Sequence, residues 1–166
     1  MANITFHTIS NASYLLLVSS LIKLTEVLSP TVKNIGDQRA TIGYGYTFNR
    51  NNNVAIWTTA GISLTTTQWA LLAQIDSAPA SQKTSLALQF NLTMTAPQAN
   101  ALLIASIPSY EGPANSLNMP QSLERAAFVS ITYNRGVGAV NSKMGAFFSA
   151  INSGDQVQGQ VRQPNI

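Results

Sequence analysis

Few side chains in this 166-residue sequence could carry chemistry. It has six Asp and Glu residues, one His and no Cys. This excludes a Cys nucleophile and the usual zinc ligand sets, and His7 stands without a Gly-x-Ser-x-Gly partner motif. Glu26 differs from the other acids because it ends a predicted helix among apolar neighbours such as Leu24 and Val27. Burial there would raise the pKa of its carboxyl, and glycosidic bond cleavage needs such a proton donor. A purely structural Glu near a helix end is the competing interpretation.

The other five carboxylates have local reasons to be where they are. Asp76, Glu124 and Asp155 lie at predicted helix ends, where acids serve as caps or interact with the helix dipole. Asp37 lies on a predicted hairpin turn, where Asp is common. Glu111 is a loop acid. None of them has the apolar surroundings that set Glu26 apart.

Glu26 is positioned by a predicted helix over residues 11–27. Leu17, Leu21, Leu24 and Leu28 recur at helical spacing and form one apolar stripe. Pro30 ends the helix, because the residue before a proline is pushed out of the helical region.

A β-hairpin is predicted over residues 31–48, with its turn at Gly36 and Asp37 and one continuous return strand from residue 38. Gly43 and Gly45 alternate with larger residues and therefore share a strand face. Glycine weakens a strand unless another backbone or a ligand must come close. The pattern predicts that something lies against this face.

The rest of the chain is predicted to be helical. Leu123, Ala127, Ile131 and Asn134 trace one face of the strongest of these helices. The predicted helices cover residues 66–75, 82–90, 96–107, 122–135 and 142–152. The sequence therefore predicts an α+β fold in one domain over residues 1–166, mainly helical, with a small β lobe at about 29–60.

Composition excludes several classes of function. Only 9% of the residues are charged and the net charge is +3, which is too sparse for a nucleic-acid groove. The most apolar stretch, residues 14–28, is interrupted by Lys23 and Glu26 and falls short of a membrane span. No basic residue precedes Lys23, so no signal peptide is predicted. There is also no phosphate-binding loop, and no cofactor or metal is expected.

Two segments carry a resemblance to a known family. Thr-Ile-Gly-Tyr-Gly-Tyr-Thr fills residues 41–47 and begins 15 residues after Glu26, and residues 125–140 contain Asn134-Arg-Gly followed by Gly-Ala. Together they resemble the phage-type lysozymes, the muramidases of tailed-phage endolysins. The resemblance runs from about residue 11 to 155 and implies a lysozyme-like fold with the β lobe beside a catalytic cleft.

The resemblance implies roles for individual residues. Glu26 would be the general acid that protonates the leaving glycosidic oxygen, and Thr41 would help to hold the attacking water. Substrate contacts would come from the strand motif and from the later helix, through Gly43, Tyr44, Gly45, Tyr46 and Asn134.

The sequence departs from the family pattern at several positions. The family's second carboxylate is an Asp six residues before the Thr, where this chain has Ile35. Asp37 is the nearest acid, and a shift of two residues keeps the same strand face. Val27 replaces a Gly and Tyr46 replaces a His. The chain ends at Ile166, before the family's last two helices, so a truncated C-terminal lobe is expected.

The implied activity is hydrolysis of peptidoglycan between N-acetylmuramic acid and N-acetylglucosamine, by a monomer that is made in the cytoplasm and acts on the bacterial wall after release. Truncation would favour self-association. A lytic transglycosylase would need only Glu26, and the replacement of the family Asp favours it. A non-catalytic wall-binding relative is the alternative from another class.

Overall fold

A computed structural model describes residues 5–34, 36 and 39–153 of the chain. It has an α+β fold, as the sequence predicts, and it divides into two compact units. One unit comprises Met1–Val18 and Pro108–Ile166, and the other Ser19–Ile107. The elements are α1 (Asn11–Thr25), β1 (Ser29–Asn34), β2 (Ala40–Gly43), β3 (Tyr46–Thr47), α2 (Asn53–Thr59), α3 (Thr66–Ser77), α4 (Ala80–Ala87), α5 (Ala96–Ser106), a 3-10 turn (Ile107–Tyr110), α6 (Gly112–Ser116), α7 (Leu123–Arg135), α8 (Val137–Lys143) and α9 (Gly145–Ser153).

The sheet of the Ser19–Ile107 unit is antiparallel, with β2 in its centre. β1 and β2 form the predicted hairpin, but the predicted single return strand is wrong. The chain turns at Gly43, Tyr44 and Gly45, and β3 then pairs back onto β2. Gly43 has φ +64° and Gly45 φ +76°, a left-handed conformation that glycine adopts without steric cost. The two glycines therefore make a turn, and the alternation of faces expected in a strand does not apply.

The core of this unit is aromatic. Tyr46, Phe48, Trp57 and Phe90 are buried and contact one another, with ring centroids 5.1–6.1 Å apart. Edge-to-face and offset arrangements at such distances are favourable beyond the burial of area. The cluster fixes β3 and α2 against each other.

Threonine starts two of the helices that cover this core. Thr65 caps α3 and Thr95 caps α5, and in each case the Gln three residues later bonds back to the cap, which completes a capping box. These two helices lie close to their predicted positions because the signal is entirely local.

The other unit contains α6 to α9 and the chain start. An isolated bridge pairs Thr8 with Ser122, and the Ser122 hydroxyl caps α7 by accepting from the backbone N–H of Arg125. Phe128 of α7 packs against Phe147 and Phe148 of α9.

Two predicted apolar faces are wrong. In α1 the buried row is Tyr14, Val18 and Ile22, whereas Leu24 is 82% exposed. Nearly every position from 14 to 18 is apolar, so periodicity alone cannot select the buried face.

The predicted face of α7 is the exposed one. Leu123, Ala127, Ile131 and Asn134 are all exposed. The helix instead buries the row that contains Ala126, Phe128, Val129 and Tyr133, together with two polar residues, Arg125 and Thr132. Because Arg125 and Thr132 are polar, the buried face does not form a continuous apolar pattern in the sequence.

The predicted helix over residues 142–152 is two helices, α8 and α9, which meet at Met144. Within the described part of the chain, none of the helices combines the length and apolar character that crossing a membrane would need.

Candidate active site

Glu26 lies one residue beyond α1 and continues its hydrogen bonding, since its backbone N–H donates to the Ile22 carbonyl at 2.9 Å. Its side chain is half-buried and lies against the β2–β3 turn. A Cβ built on Gly45 would lie 2.7 Å from Glu26 Oε2, closer than any side chain tolerates. A side chain at position 45 would therefore displace the Glu26 carboxylate, and the positive φ of +76° would strain it as well. Burial raises the pKa of the Glu26 carboxyl above its ordinary value of 4.5.

Glu26 has no hydrogen bond or ion pair from its carboxylate to the described residues. The other three carboxylates in the described ranges are all engaged. Asp76 accepts from the backbone N–H groups at the start of α2, Glu111 accepts from a tyrosine hydroxyl, and Glu124 accepts from His7. Glu26 is therefore the carboxyl in the described ranges whose pKa is raised by burial and whose oxygens form no hydrogen bond or ion pair with the described residues.

Thr41 lies in the central strand β2, paired with Lys33 on one side and Thr47 on the other. It is only 8% exposed, and its hydroxyl lies 3.4 Å from the Lys33 carbonyl, to which it donates. The sheet thus fixes the hydroxyl, whose lone pairs remain acceptors. The role of Thr41 toward a water stays a prediction.

Both motif glycines have protein neighbours. A Cβ at Gly43 would lie 3.4 Å from the Ala99 Cβ and 3.4 Å from the Met94 Sδ. Ala99 of α5 and Met94 thus lie close to Gly43, and Glu26 lies close to Gly45. The expected close approach is present, but the described structure provides it from within the chain.

Tyr46 is not available to a saccharide, which corrects its prediction as a substrate contact. It is 1% exposed, and its hydroxyl donates to Asn53 Oδ1 at 2.6 Å inside the aromatic core. The replacement of the family's His by Tyr therefore extends the core. Tyr44, at the tip of the turn, is half-buried and keeps an accessible edge.

The last two predicted site residues, Asp37 and Asn134, are not placed relative to Glu26. Asp37 lies outside the described residues, as does Ile35. Asn134 is exposed on α7 in the other unit, where its Nδ2 donates to the Ser130 carbonyl at 3.0 Å. Their roles stay predictions.

Sequence reasoning missed Lys23 and Asn100. Lys23 Nζ donates to Asn100 Oδ1 at 2.8 Å and lies 5.8 Å from the centre of the Tyr44 ring. The available signal was the spacing of three residues between Lys23 and Glu26, which places both side chains on the same face of a helix.

A separate groove of about 560 Å³ opens at the far end of the sheet. Its described lining mixes polar side chains, including Asn34, Arg39, Asn49, Ser81 and Thr84, with the apolar Ala80 and Leu88. Asn34 pairs with Ala40 at the opposite end of β2 from Gly43. Among the predicted site residues that the structure describes, none lines this groove.

The His, Asp and Glu residues within the described ranges form no group of three that could hold a metal ion. The chain was also compared with family models, curated proteins and solved structures, and nothing matches it.

Proposed function

We propose that the protein is a lysozyme-like glycosidase that cleaves peptidoglycan between N-acetylmuramic acid and N-acetylglucosamine, with Glu26 as its general acid. One observation carries the proposal. Glu26 is a half-buried carboxyl with a raised pKa and no partner among the described residues, and it lies directly against the Cα of Gly45, where an added Cβ would be 2.7 Å from its Oε2. The resemblance of residues 41–47 and 125–140 to phage-type lysozymes supplies the substrate and the lysozyme-like fold.

In the proposed reaction the glycosidic C–O bond breaks as its oxygen takes the proton from Glu26. A water attacks the anomeric carbon from the opposite face, where Asp37 accepts its proton and Thr41 orients it. Such an inverting arrangement needs room for that water between the two carboxyls, which are typically about 6.5–9.5 Å apart.

A lytic transglycosylase is the second candidate, favoured by the apolar Ile35 at the position of the family Asp. There the 6-hydroxyl of the muramic residue attacks the anomeric carbon in place of water, so Glu26 is the one carboxyl required. The products differ: hydrolysis gives reducing ends, and transglycosylation gives 1,6-anhydro ends.

The test is Glu26→Gln in the full chain, acting on purified sacculi. Gln keeps the size of the side chain but has no proton to donate, so we expect release of soluble fragments to fall by about 100-fold or more. Mass analysis of the wild-type fragments assigns the ends as reducing or anhydro.

Glu124→Gln is the matched control, because it makes the same change at an acid whose carboxylate is already engaged by His7. It should release fragments at the wild-type rate. Equal activity of Glu26→Gln and wild type would refute the assignment of Glu26. Binding of sacculi by a wild-type protein that releases nothing would identify a non-catalytic wall-binding relative.

A further inference from the structure

Lys23 and Glu26 contact the same turn from the same helix face. Glu26 lies over Gly45, and the Lys23 ammonium lies 5.8 Å from the ring centre of the adjacent Tyr44. Their spacing of three residues places their side chains side by side. The two side chains nevertheless form no ion pair within 4 Å, and the Lys23 ammonium donates to Asn100 on α5 instead.

This contact fixes the orientation of both groups. An ammonium can only donate, so the Asn100 carbonyl oxygen must face Lys23 and its NH₂ group must face away. Lys23 retains N–H groups beyond the one given to Asn100. Both side chains are partly exposed. Lys23 and Asn100 therefore present a positive charge and several N–H donors beside the proposed general acid. The Asn100 carbonyl oxygen is already used by Lys23.

Such a set of donors selects a ligand rich in acceptors. A carboxylate fits best, since its two oxygens can each accept a hydrogen bond, and charge-assisted bonds are about twice as strong as neutral ones. The Asn100 bond and the Tyr44 ring also hold the lysine in one place, which lowers the entropy that binding would otherwise cost.

We propose that Lys23 and Asn100 form a carboxylate-binding subsite beside Glu26 that recognises the carboxylate-bearing muramic residue of the glycan. The inference rests on the proposed function and deepens it by naming the group that distinguishes this substrate from an uncharged N-acetylglucosamine polymer. The carboxylate has two sources: the lactyl ether of the sugar itself, or the peptide stem attached to it.

The test is direct binding by the full chain, measured by calorimetry, so that it does not depend on cleavage. The ligands are three disaccharides that lack the bond to be cut: N-acetylglucosaminyl-N-acetylmuramic acid with a free lactyl carboxylate, the same disaccharide carrying a peptide stem, and chitobiose, which has no carboxylate. Wild type should bind both muramyl ligands more tightly than chitobiose.

Lys23→Gln removes the charge and keeps most of the side-chain length. We expect its Kd for at least one muramyl ligand to rise roughly tenfold or more, the usual consequence of losing a charge-assisted bond. Its Kd for chitobiose should be unchanged. Lys23→Arg, which retains the charge, should keep most of the affinity, and Asn100→Leu should lose part of it.

The two muramyl arms identify the source. Weakening confined to the free lactyl ligand assigns the lactyl group, and weakening confined to the stem-bearing ligand assigns the peptide. Equal weakening for chitobiose, or none for any ligand, overturns the subsite. These outcomes are independent of the Glu26→Gln result, so an inactive protein with selective muramyl binding would refute the proposed catalysis and leave the subsite standing.

Discussion

The pairing of Glu26 with Gly45 is the most specific feature at the scale of single residues. A carboxyl at the end of a helix usually turns to water, where its pKa stays near the ordinary value. Here the side chain instead lies on a turn whose backbone is bare at the point of contact. Burial there favours the uncharged form of the Glu26 carboxyl, and a general acid must keep its proton until it donates it.

Gly45→Ala tests this pairing. The new methyl would overlap the Glu26 carboxylate, and a displacement of about 1 Å can cost about 100-fold in rate. Fragment release from sacculi should fall to that extent. The positive φ should also reduce the free energy of unfolding by about 1–2 kcal/mol, as measured by urea denaturation.

Gly61→Ala separates the two effects. Gly61 has a similar φ of +65°, but a Cβ there meets nothing within 4 Å. Its stability should fall by about the same 1–2 kcal/mol while its activity is retained. A matching loss of activity in both variants would mean that strain, and not the position of Glu26, accounts for the effect.

At the scale of elements, a side chain from one helix caps the N-terminus of another. α2 has no capping side chain of its own at Asn52. Asp76, near the end of α3, supplies the cap: Oδ1 accepts from the Asn53 backbone N–H at 2.7 Å, and Oδ2 accepts from the Val54 N–H at 3.0 Å. The acid that the sequence places at a helix end thus serves the start of a different helix.

A buried lysine in turn caps the C-terminal carbonyl groups of α3. Lys83 of α4 is 4% exposed, and its ammonium donates to the carbonyl oxygens of Arg50, Ile75 and Asp76. Carbonyls at a helix C-terminus lack intrahelical partners and carry negative partial charge, so a cation stabilises them. α2, α3 and α4 are therefore connected by charged side chains at their ends.

Asp76→Ala should lower the free energy of unfolding by about 2 kcal/mol, because it leaves helix N–H groups without partners. Urea denaturation followed by circular dichroism measures the change. Ser77→Ala is the control, since its hydroxyl only bonds carbonyls of its own helix turn, and it should change stability by less than about 0.5 kcal/mol. Equal effects of the two substitutions would contradict the capping role.

At the scale of the whole molecule, two carboxyls have pKa values displaced in opposite directions. Burial raises the pKa of Glu26 in the Ser19–Ile107 unit. In the other unit, slight burial acts to raise the pKa of Glu124, but hydrogen bonds from His7 outweigh it and lower the pKa to about 2. Stability and pH are linked through such differences between the folded and unfolded states.

The free energy of unfolding should therefore pass through a maximum near pH 4.5. A lowered folded-state pKa gives stability that is present above the ordinary value of 4.5 and is lost as the pH falls toward about 2. A raised folded-state pKa of an acid acts in the other direction: its stabilisation is complete below 4.5 and is lost as the pH rises through the raised value.

Urea denaturation at a series of pH values measures how the free energy of unfolding changes below and above pH 4.5. Glu124→Gln should reduce the loss of stability below pH 4.5 and leave the decline above it unchanged. Glu26→Gln should reduce the decline above pH 4.5. A decline above that pH which persists in Glu26→Gln would contradict the burial of this carboxyl in the folded state.

The sequence alone predicted the features that depend on neighbouring residues. The helices predicted to begin at residues 66, 96 and 122 lie close to those positions, Pro30 marked the end of the first helix, and β1 and β2 pair as predicted. These signals act over a few residues, so they can be identified without knowledge of distant contacts. Glu26 was likewise singled out by its own helix and its apolar neighbours.

Only the tertiary structure decided which faces are buried and which partners are met. The buried faces of α1 and α7 differ from those traced in the sequence, Tyr46 proved to belong to the core, and Gly43 and Gly45 proved to make a turn. Lys23 meets Asn100, and Asp76 meets Asn53, across distances in sequence that no local pattern encodes. The physical reason is that burial and hydrogen bonding are properties of pairs of surfaces, whereas a sequence pattern describes one surface at a time.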